Sequence, residues 1–164
     1  MDIGQLVCFL LARDLRLVTA ESCTAGLIAS TIADVEGAGD LLDCAFVTYS
    51  PAAKQRCLGV RAETIAQYGL TSEQVAREMA LGALNSGSAN LAVANTGVAD
   101  SVDPEVPSGT QCYAWAFAKP GGQPLLYSET RRFGGNRNRI RRESAHYALC
   151  RIPALCVQFA IGRP

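Results

Sequence analysis

The chain has 164 residues, the usual size of one domain, and its composition of 49% hydrophobic and 18% charged residues excludes an intrinsically disordered protein. Fifteen basic residues balance fifteen acidic ones, so the positive surplus typical of nucleic-acid-binding proteins is absent. No apolar run reaches the roughly 18 residues of a membrane-spanning helix, and the acidic start of the chain does not match a signal peptide. We therefore expect a cytoplasmic protein whose partner is neither nucleic acid nor a membrane.

Hydrophobic spacing and turn residues predict helices that alternate with strands, with one hairpin near the end. In chain order we predict a helix at 3–11, a strand at 17–22, a helix at 24–35, a strand at 43–50, a helix at 51–58, a short helix at 62–67, a helix at 72–84 capped by Thr71, a strand at 90–96, a hairpin of strands at 109–118 and 124–133, a basic helix at 136–150 and a short helix after Pro153. This pattern indicates a single α/β domain over residues 1–164, with a mixed sheet and helices on both of its faces.

Ligands of such sheets bind where strands end and helices begin, which directs attention to residues 22–26, 49–54 and the segment from 96 onward. Ser22 stands where the first strand turns into a helix, so backbone N–H groups of residues 23–25 could hold the oxyanion of an acyl-transfer reaction. The alternative is that Ser22 or Thr24 is simply the N-cap of that helix.

Lys54 lies in the first turn of the helix that Ser50 and Pro51 begin. The helix dipole and burial would both lower its pKa, and a neutral lysine can take a proton from a serine. Tyr49, at the end of the preceding strand, could orient or relay that proton. The alternatives are a solvated lysine and a tyrosine buried in the core.

The only histidine, His146, lies on the late basic helix, where we expect a partly buried structural role, so a Ser-His-Asp triad is poorly supported. The loop from Gly97 to Ser108 carries Asp100, Asp103 and Glu105, but nothing in their spacing specifies a metal site. Seven scattered cysteines without a C-x-x-C pair indicate neither a zinc site nor a redox motif, and we expect no metal and no cofactor.

Six arginines stand between residues 131 and 142. Such a stretch is most often a solvated face. Alternatively, two glycines at 134 and 135, followed by Arg137 and Arg141 one helical turn apart, are suited to bind a phosphate through N–H groups and guanidinium forks. Neither a P-loop nor a dinucleotide-binding motif is present.

Motifs in several segments recur in one known family, in the same order. Residues 19–26 read TAESCTAG, residues 46–60 read FVTYSPAAKQRCLGV, and residues 91–97 read LAVANTG. Together with the helix at 71–84, PSGT at 107–110 and RFGGNRNRIR at 132–141, they cover nearly the whole chain. The sequence resembles the CinA C-terminal domain family, the nicotinamide mononucleotide deamidases.

The resemblance implies a three-layer α/β/α domain, commonly dimeric, that hydrolyses the carboxamide of nicotinamide mononucleotide to a carboxylate and ammonia without a metal. It implies a small-molecule nucleotide as the ligand and a place in pyridine nucleotide salvage. The catalytic residues implied are Ser22 as nucleophile, with Tyr49 and Lys54 to activate it. The implied substrate-binding residues are Cys23, Thr24, Thr96, Gly97, Arg137 and Arg141.

Two positions depart from the family pattern. Ala25 replaces a glycine of the first motif, and the T-G-I-A-G-P-x-G-G run after Thr96 is replaced by a segment that contains Asp100 and Asp103. If that loop lines the pocket, either acid would repel a phosphate and alter substrate choice. A divergent, non-catalytic homologue that binds a nucleotide or a protein partner is therefore the alternative, and a nucleic-acid module that uses the arginines comes third.

Overall fold

A five-stranded sheet forms the middle layer of the protein, which we describe from a computed structural model over residues 2–161. Its strands are β1 (Leu17–Glu21), β2 (Leu42–Val47), β3 (Leu91–Gly97), β4 (Thr110–Phe117) and β5 (Leu125–Arg132). The strand order is β2-β1-β3-β4-β5, in which β1 is parallel to β2 and β3, whereas β4 is antiparallel to β3 and β5. The predicted mixed sheet and hairpin are confirmed.

Helices cover both faces of this sheet. They are α1 (Ile3–Leu11), α2 (Leu27–Ala33), α3 (Pro51–Leu58), α4 (Ala62–Tyr68), α5 (Glu73–Leu84), α6 (Arg137–Cys150) and α7 (Ile152–Phe159), with a short 3-10 helix at Ala38–Asp40. Helices α1, α2, α6 and α7 pack on one face, and α5, with the ends of α3 and α4, packs on the other. The three-layer α/β/α prediction is therefore confirmed. Within residues 2–161, no helix has the length and apolar character needed to cross a membrane.

Alternation along the strands explains the two faces. In β4, the large side chains of Tyr113, Trp115 and Phe117 point into the core beneath α1, α2, α6 and α7. Ala114 and Ala116 point towards α5 on the other face. The small alanine face lets α5 lie close to the sheet. Close approach extends to α3, because a Cβ on Gly82 of α5 would stand 1.9 Å from the carbonyl oxygen of Leu58.

Several predicted boundaries are wrong by one to three residues. Strand β2 ends at Val47 rather than residue 50, and α7 begins at Ile152 rather than after Pro153. Helix α2 begins at Leu27 rather than residue 24, because Ala25 and Gly26 have positive φ angles of 50° and 90° and form a turn. Helix α5 is capped by Ser72, not Thr71: Ser72 has extended backbone angles, and its Oγ accepts a hydrogen bond from the Val75 N–H.

Candidate active site

Ser22 and Lys54 meet at the carboxyl edge of the sheet. Strands β1 and β2 are parallel and pair Glu21 with Val47, so the chain segments that follow them leave the sheet side by side. Ser50 then caps α3 by accepting a hydrogen bond from the Ala53 N–H, and this start places Lys54 in the first helical turn. Lys54 Nζ donates a hydrogen bond to Ser22 Oγ at 2.8 Å. Two of the strand–helix junctions that the sequence singled out therefore lie side by side, and their serine and lysine are in contact.

The Lys54 amine is held in a buried, carboxylate-free environment. Its side chain is among the largest fully buried ones, and its Nζ also donates to the carbonyl oxygen of Thr48 at 2.6 Å and approaches that of Tyr49 at 3.5 Å. Within residues 2–161 no carboxylate forms an ion pair with it. Burial lowers the pKa of Lys54 from 10.5 to about 8. A neutral amine that can accept a proton is thus accessible near neutral pH.

A cleft of about 230 Å³ opens onto this pair. Besides Ser22 and Lys54, its wall includes five of the predicted site residues, which come from the ends of three strands and the start of α6: Cys23, Tyr49, Thr96, Gly97 and Arg137. Thr24 and Arg141 do not line the cleft. The structure therefore brings together most of the predicted site and leaves two residues outside it.

The turn after Ser22 holds fewer donors for an oxyanion than expected. The N–H of Thr24 donates to Asn95 Oδ1 at 3.2 Å, and the N–H of Ala25 donates to the carbonyl oxygen of Ser22 at 3.1 Å. Among the described residues, no acceptor faces the N–H of Cys23. Of the three predicted donors, only that of Cys23 has no hydrogen-bond acceptor among residues 2–161.

Neither Ser22 nor Thr24 caps α2, which corrects the alternative interpretation of this turn. The buried carboxylate of Glu21 does so instead: it accepts hydrogen bonds from the N–H groups of Gly26, Ile28 and Ala29 at 2.8 to 3.0 Å. The sequence places Glu21 in the strand and does not predict this role. Glu21 lies six residues before Leu27, the first residue of α2, so local capping preferences gave no signal for this role.

Arg141 binds the backbone of the turn after Ser22 and does not line the cleft. Its Nε donates to the carbonyl oxygen of Cys23 at 2.9 Å, and its Nη2 donates to that of Thr24 at 3.0 Å. The guanidinium is therefore committed to the backbone rather than presented to a phosphate. Thr24 is fully buried beside it and does not line the cleft, and its Oγ1 has no hydrogen-bond partner among residues 2–161.

A buried polar network below the turn was also missed by the sequence analysis. Asn95 Nδ2 donates to Gln111 Oε1 at 3.0 Å, and Gln111 Nε2 approaches Cys23 Sγ at 3.4 Å. Ser144 Oγ lies 2.6 Å from the Tyr113 hydroxyl and 3.3 Å from Gln111 Oε1. Asn95, Gln111 and Tyr113 lie on apolar strands, where their polarity gave the only sequence signal. Ser144 lies on the basic helix α6, where a serine gives no such signal.

Tyr49 lies at the mouth of the cleft rather than beside Ser22. Its side chain is 56% exposed, and its hydroxyl accepts a hydrogen bond from Arg137 Nη2 at 3.0 Å. Arg137 also forms an ion pair with Asp100 at 3.3 Å. The contact of Tyr49 with Lys54 is made by its backbone carbonyl, so the predicted proton relay through the hydroxyl is absent from this arrangement.

Thr96 and Gly97 shape the wall formed by β3. The Thr96 hydroxyl donates to the carbonyl oxygen of Leu70 at 2.8 Å and thereby ties the segment between α4 and α5 to the end of β3. A Cβ at Gly97 would stand 2.5 Å from Gln111 Oε1 and 2.6 Å from the carbonyl oxygen of Thr110. Glycine is therefore needed there for close packing.

The remaining candidate residues lie elsewhere. His146 is exposed on α6, with its ring 3.5 Å from Cys150 Sγ, so the expected partly buried role is wrong. Asp103 is exposed and binds the N–H of Glu105 within its own loop, whereas Asp100 lines the cleft. No group of His, Cys, Asp or Glu within residues 2–161 is arranged to hold a metal ion.

Comparison with known proteins identifies the relatives of this chain. The family profile described as "CinA C-terminal domain" matches residues 3–156. The nicotinamide-nucleotide amidohydrolase PncC of Escherichia coli K12 is 44% identical over 150 residues, which are 90% of this chain and 87% of that protein. The protein of the same name from Shigella flexneri is 43% identical with the same coverage. A crystal structure of a CinA superfamily protein from Klebsiella pneumoniae superposes with a TM-score of 0.88 at 31% identity and covers 95% of this chain and 96% of its own.

Proposed function

Because the chain belongs to the CinA C-terminal domain family, we propose that it is an amidohydrolase that converts nicotinamide mononucleotide into nicotinate mononucleotide and ammonia. The relatives at 43% and 44% identity are named for hydrolysis of a nicotinamide nucleotide amide. The observation that carries the proposal is the 2.8 Å hydrogen bond between Lys54 Nζ and Ser22 Oγ in an accessible cleft. A serine activated by a buried lysine is a known solution for amide hydrolysis.

In the first step, Ser22 Oγ attacks the carboxamide carbon while neutral Lys54 accepts the hydroxyl proton. Raising the pH through about 8 increases the fraction of neutral lysine. The carbonyl oxygen of the substrate becomes an oxyanion, and we assign the N–H of Cys23, the residue after Ser22, as its donor. Arg141 supports the turn that carries this N–H by donating to the carbonyl oxygens of Cys23 and Thr24.

Collapse of this intermediate breaks the carbon–nitrogen bond. The Lys54 ammonium transfers its extra proton to the departing nitrogen, which leaves as ammonia, and an ester remains on Ser22. In the second half, a water molecule attacks the ester while Lys54 accepts a proton from the water. Lys54 then returns that proton to Ser22 Oγ. This step releases the carboxylic acid and restores the free enzyme.

The same proposal covers the cellular location, the oligomeric state and the ligand of the protein. We expect action in the cytoplasm, supported by the lack of any disulfide among the seven cysteines, all of which lie within residues 2–161. We also expect a homodimer with a small-molecule nucleotide as ligand and no nucleic acid. The β2 edge of the sheet, where Val47 is 52% exposed, offers a surface for a second copy.

Ammonia release from nicotinamide mononucleotide tests the proposal. We expect activity in the wild type, a loss of at least about 10³-fold in Ser22→Ala, and no change in the matched variant Ser86→Ala, whose hydroxyl is exposed and far along the chain. Binding without hydrolysis by the wild type, in an assay where the Escherichia coli relative is active, would favour the non-catalytic alternative. Equal activity of wild type and Ser22→Ala would remove Ser22 as nucleophile.

A further inference from the structure

At the mouth of the cleft, Arg137 forms an ion pair with Asp100, although an anionic substrate would need Arg137 as its own cationic partner. Arg137 Nη1 lies 3.3 Å from Asp100 Oδ2, and both side chains line the cleft. Lys54 is the only other cation on the described wall, and its amine is already committed to Ser22 and to carbonyl oxygens. A phosphate that enters the cleft therefore has to share Arg137 with the carboxylate of Asp100.

The ion pair is easily opened but still costs binding energy for an anion. Both side chains are more than half exposed, at 51% for Arg137 and 71% for Asp100, so water screens their attraction. A phosphate can displace the carboxylate from Arg137, but the negative charge of Asp100 remains a few ångströms away and repels it. Tyr49, whose hydroxyl accepts from the other Arg137 nitrogen, limits how far the guanidinium can move away from Asp100.

The two forms of a nicotinamide substrate respond to Asp100 in opposite ways. The pyridinium ring carries one positive charge, so the nucleoside is a cation, whereas the phosphate adds a charge of about −1.5 to −2 near pH 7 and makes the nucleotide a net anion. A carboxylate at the cleft mouth therefore attracts the cationic nucleoside and repels the anionic nucleotide.

We propose that Asp100 is a specificity-determining residue, and that it makes the cleft accept the phosphate-free nicotinamide nucleoside about as well as the nucleotide. The inference rests on the proposed amidase function for the identity of the substrates, but not for the charge effect itself. It predicts that the kcat/KM values for the two substrates lie within about threefold of each other in the wild type. Removal of the carboxylate shifts the preference about tenfold towards the nucleotide.

The test compares wild type, Asp100→Asn and Asp103→Asn with nicotinamide riboside and nicotinamide mononucleotide. Asp103→Asn is the matched control, because it removes the same charge from an exposed residue of the same loop that does not line the cleft. We expect Asp100→Asn to raise the nucleotide-to-nucleoside ratio of kcat/KM about tenfold, mainly through KM, and Asp103→Asn to leave the ratio within twofold. An unchanged ratio in Asp100→Asn, or weaker nucleotide binding, would overturn the proposal.

Calorimetric Kd values for both ligands, measured in the Ser22→Ala background with and without Asp100→Asn, separate this inference from the proposed function. If neither amide is hydrolysed but the ratio of Kd values shifts towards the nucleotide, the amidase function fails and the role of Asp100 stands. If hydrolysis is confirmed but the ratio of Kd values does not move, only the role of Asp100 fails.

Discussion

Lys54 owes its chemistry to the groups that surround its amine. Carbonyl and hydroxyl oxygens accept its hydrogen bonds, no carboxylate pairs with it within residues 2–161, and burial lowers its pKa to about 8. A carboxylate partner would stabilise the ammonium and remove the base. The same environment that prepares Lys54 to accept a proton therefore costs stability whenever the amine is charged.

This cost predicts a pH-dependent stability difference between wild type and Lys54→Met. The folded pKa of about 8 lies below the usual 10.5, so between these values the unfolded chain binds more protons and rising pH stabilises the wild type. From pH 7 to pH 9.5 we expect the wild-type free energy of unfolding to increase by about 2 kcal/mol relative to the variant. Urea denaturation measures this difference. A difference that stays constant from pH 7 to pH 9.5 would mean that the pKa of Lys54 is not lowered in the folded protein. Hydrogen bonds lost in the variant add only a pH-independent offset.

The sequence identified Arg141 as a candidate site residue but did not reveal its hydrogen-bond partners. Its guanidinium binds two consecutive carbonyl oxygens in the turn after Ser22, and these partners lie 117 and 118 residues away along the chain. A basic motif cannot reveal which acceptors its guanidinium will find, because that depends on how α6 packs against the turn after β1.

We predict that Arg141→Met lowers kcat roughly 10- to 100-fold and leaves KM within about twofold, because the turn after Ser22 loses two hydrogen bonds that hold its backbone. Steady-state ammonia release separates the two constants. Arg142→Met, on the exposed side of the same helix, serves as the control and should behave as wild type. A rise in KM for the nucleotide at unchanged kcat would instead assign Arg141 to the substrate phosphate.

Helix starts decide the geometry of the cleft at the scale of elements. Ser50 and Pro51 specify the start of α3, and the position of Lys54 followed correctly from that signal. The start of α2 could not be placed in the same way, because its N–H groups are capped by Glu21 from the preceding strand rather than by a serine or threonine of the turn. Local cap rules detect a short-range partner and miss one that acts across a turn.

The start of α5 gives a testable difference between neighbouring residues. Ser72 Oγ accepts from the Val75 N–H and donates to the carbonyl oxygen of Gly69, whereas Thr71 lies before the cap and lines the cleft. We expect Ser72→Ala to lower the free energy of unfolding by about 1 kcal/mol and Thr71→Ala to change it by only a few tenths. Urea denaturation of both variants provides the measurement, and the opposite order would restore Thr71 as the cap.

At the scale of the whole molecule, the layered α/β arrangement was predictable because periodicity and chain order determine it. Strand ends also converge where expected: β1 pairs with both β2 and β3, so Ser22, Tyr49 and Thr96 come to one edge of the sheet. What could not be predicted is where each side chain turns once it leaves the sheet. The Tyr49 hydroxyl bonds to Arg137, 88 residues away, and the sequence contains no local sign of that contact.

The fold brings Ser22 and Lys54 into hydrogen-bond contact, and we propose that the two side chains act as one catalytic unit. The most direct test is the rate of ammonia release from nicotinamide mononucleotide by Ser22→Ala, by Lys54→Met and by the double variant. If the two side chains share one function, all three variants fall at least about 10³-fold to a similar residual rate. Losses that multiply in the double variant, or a Ser22→Ala variant as fast as wild type, would contradict the claim.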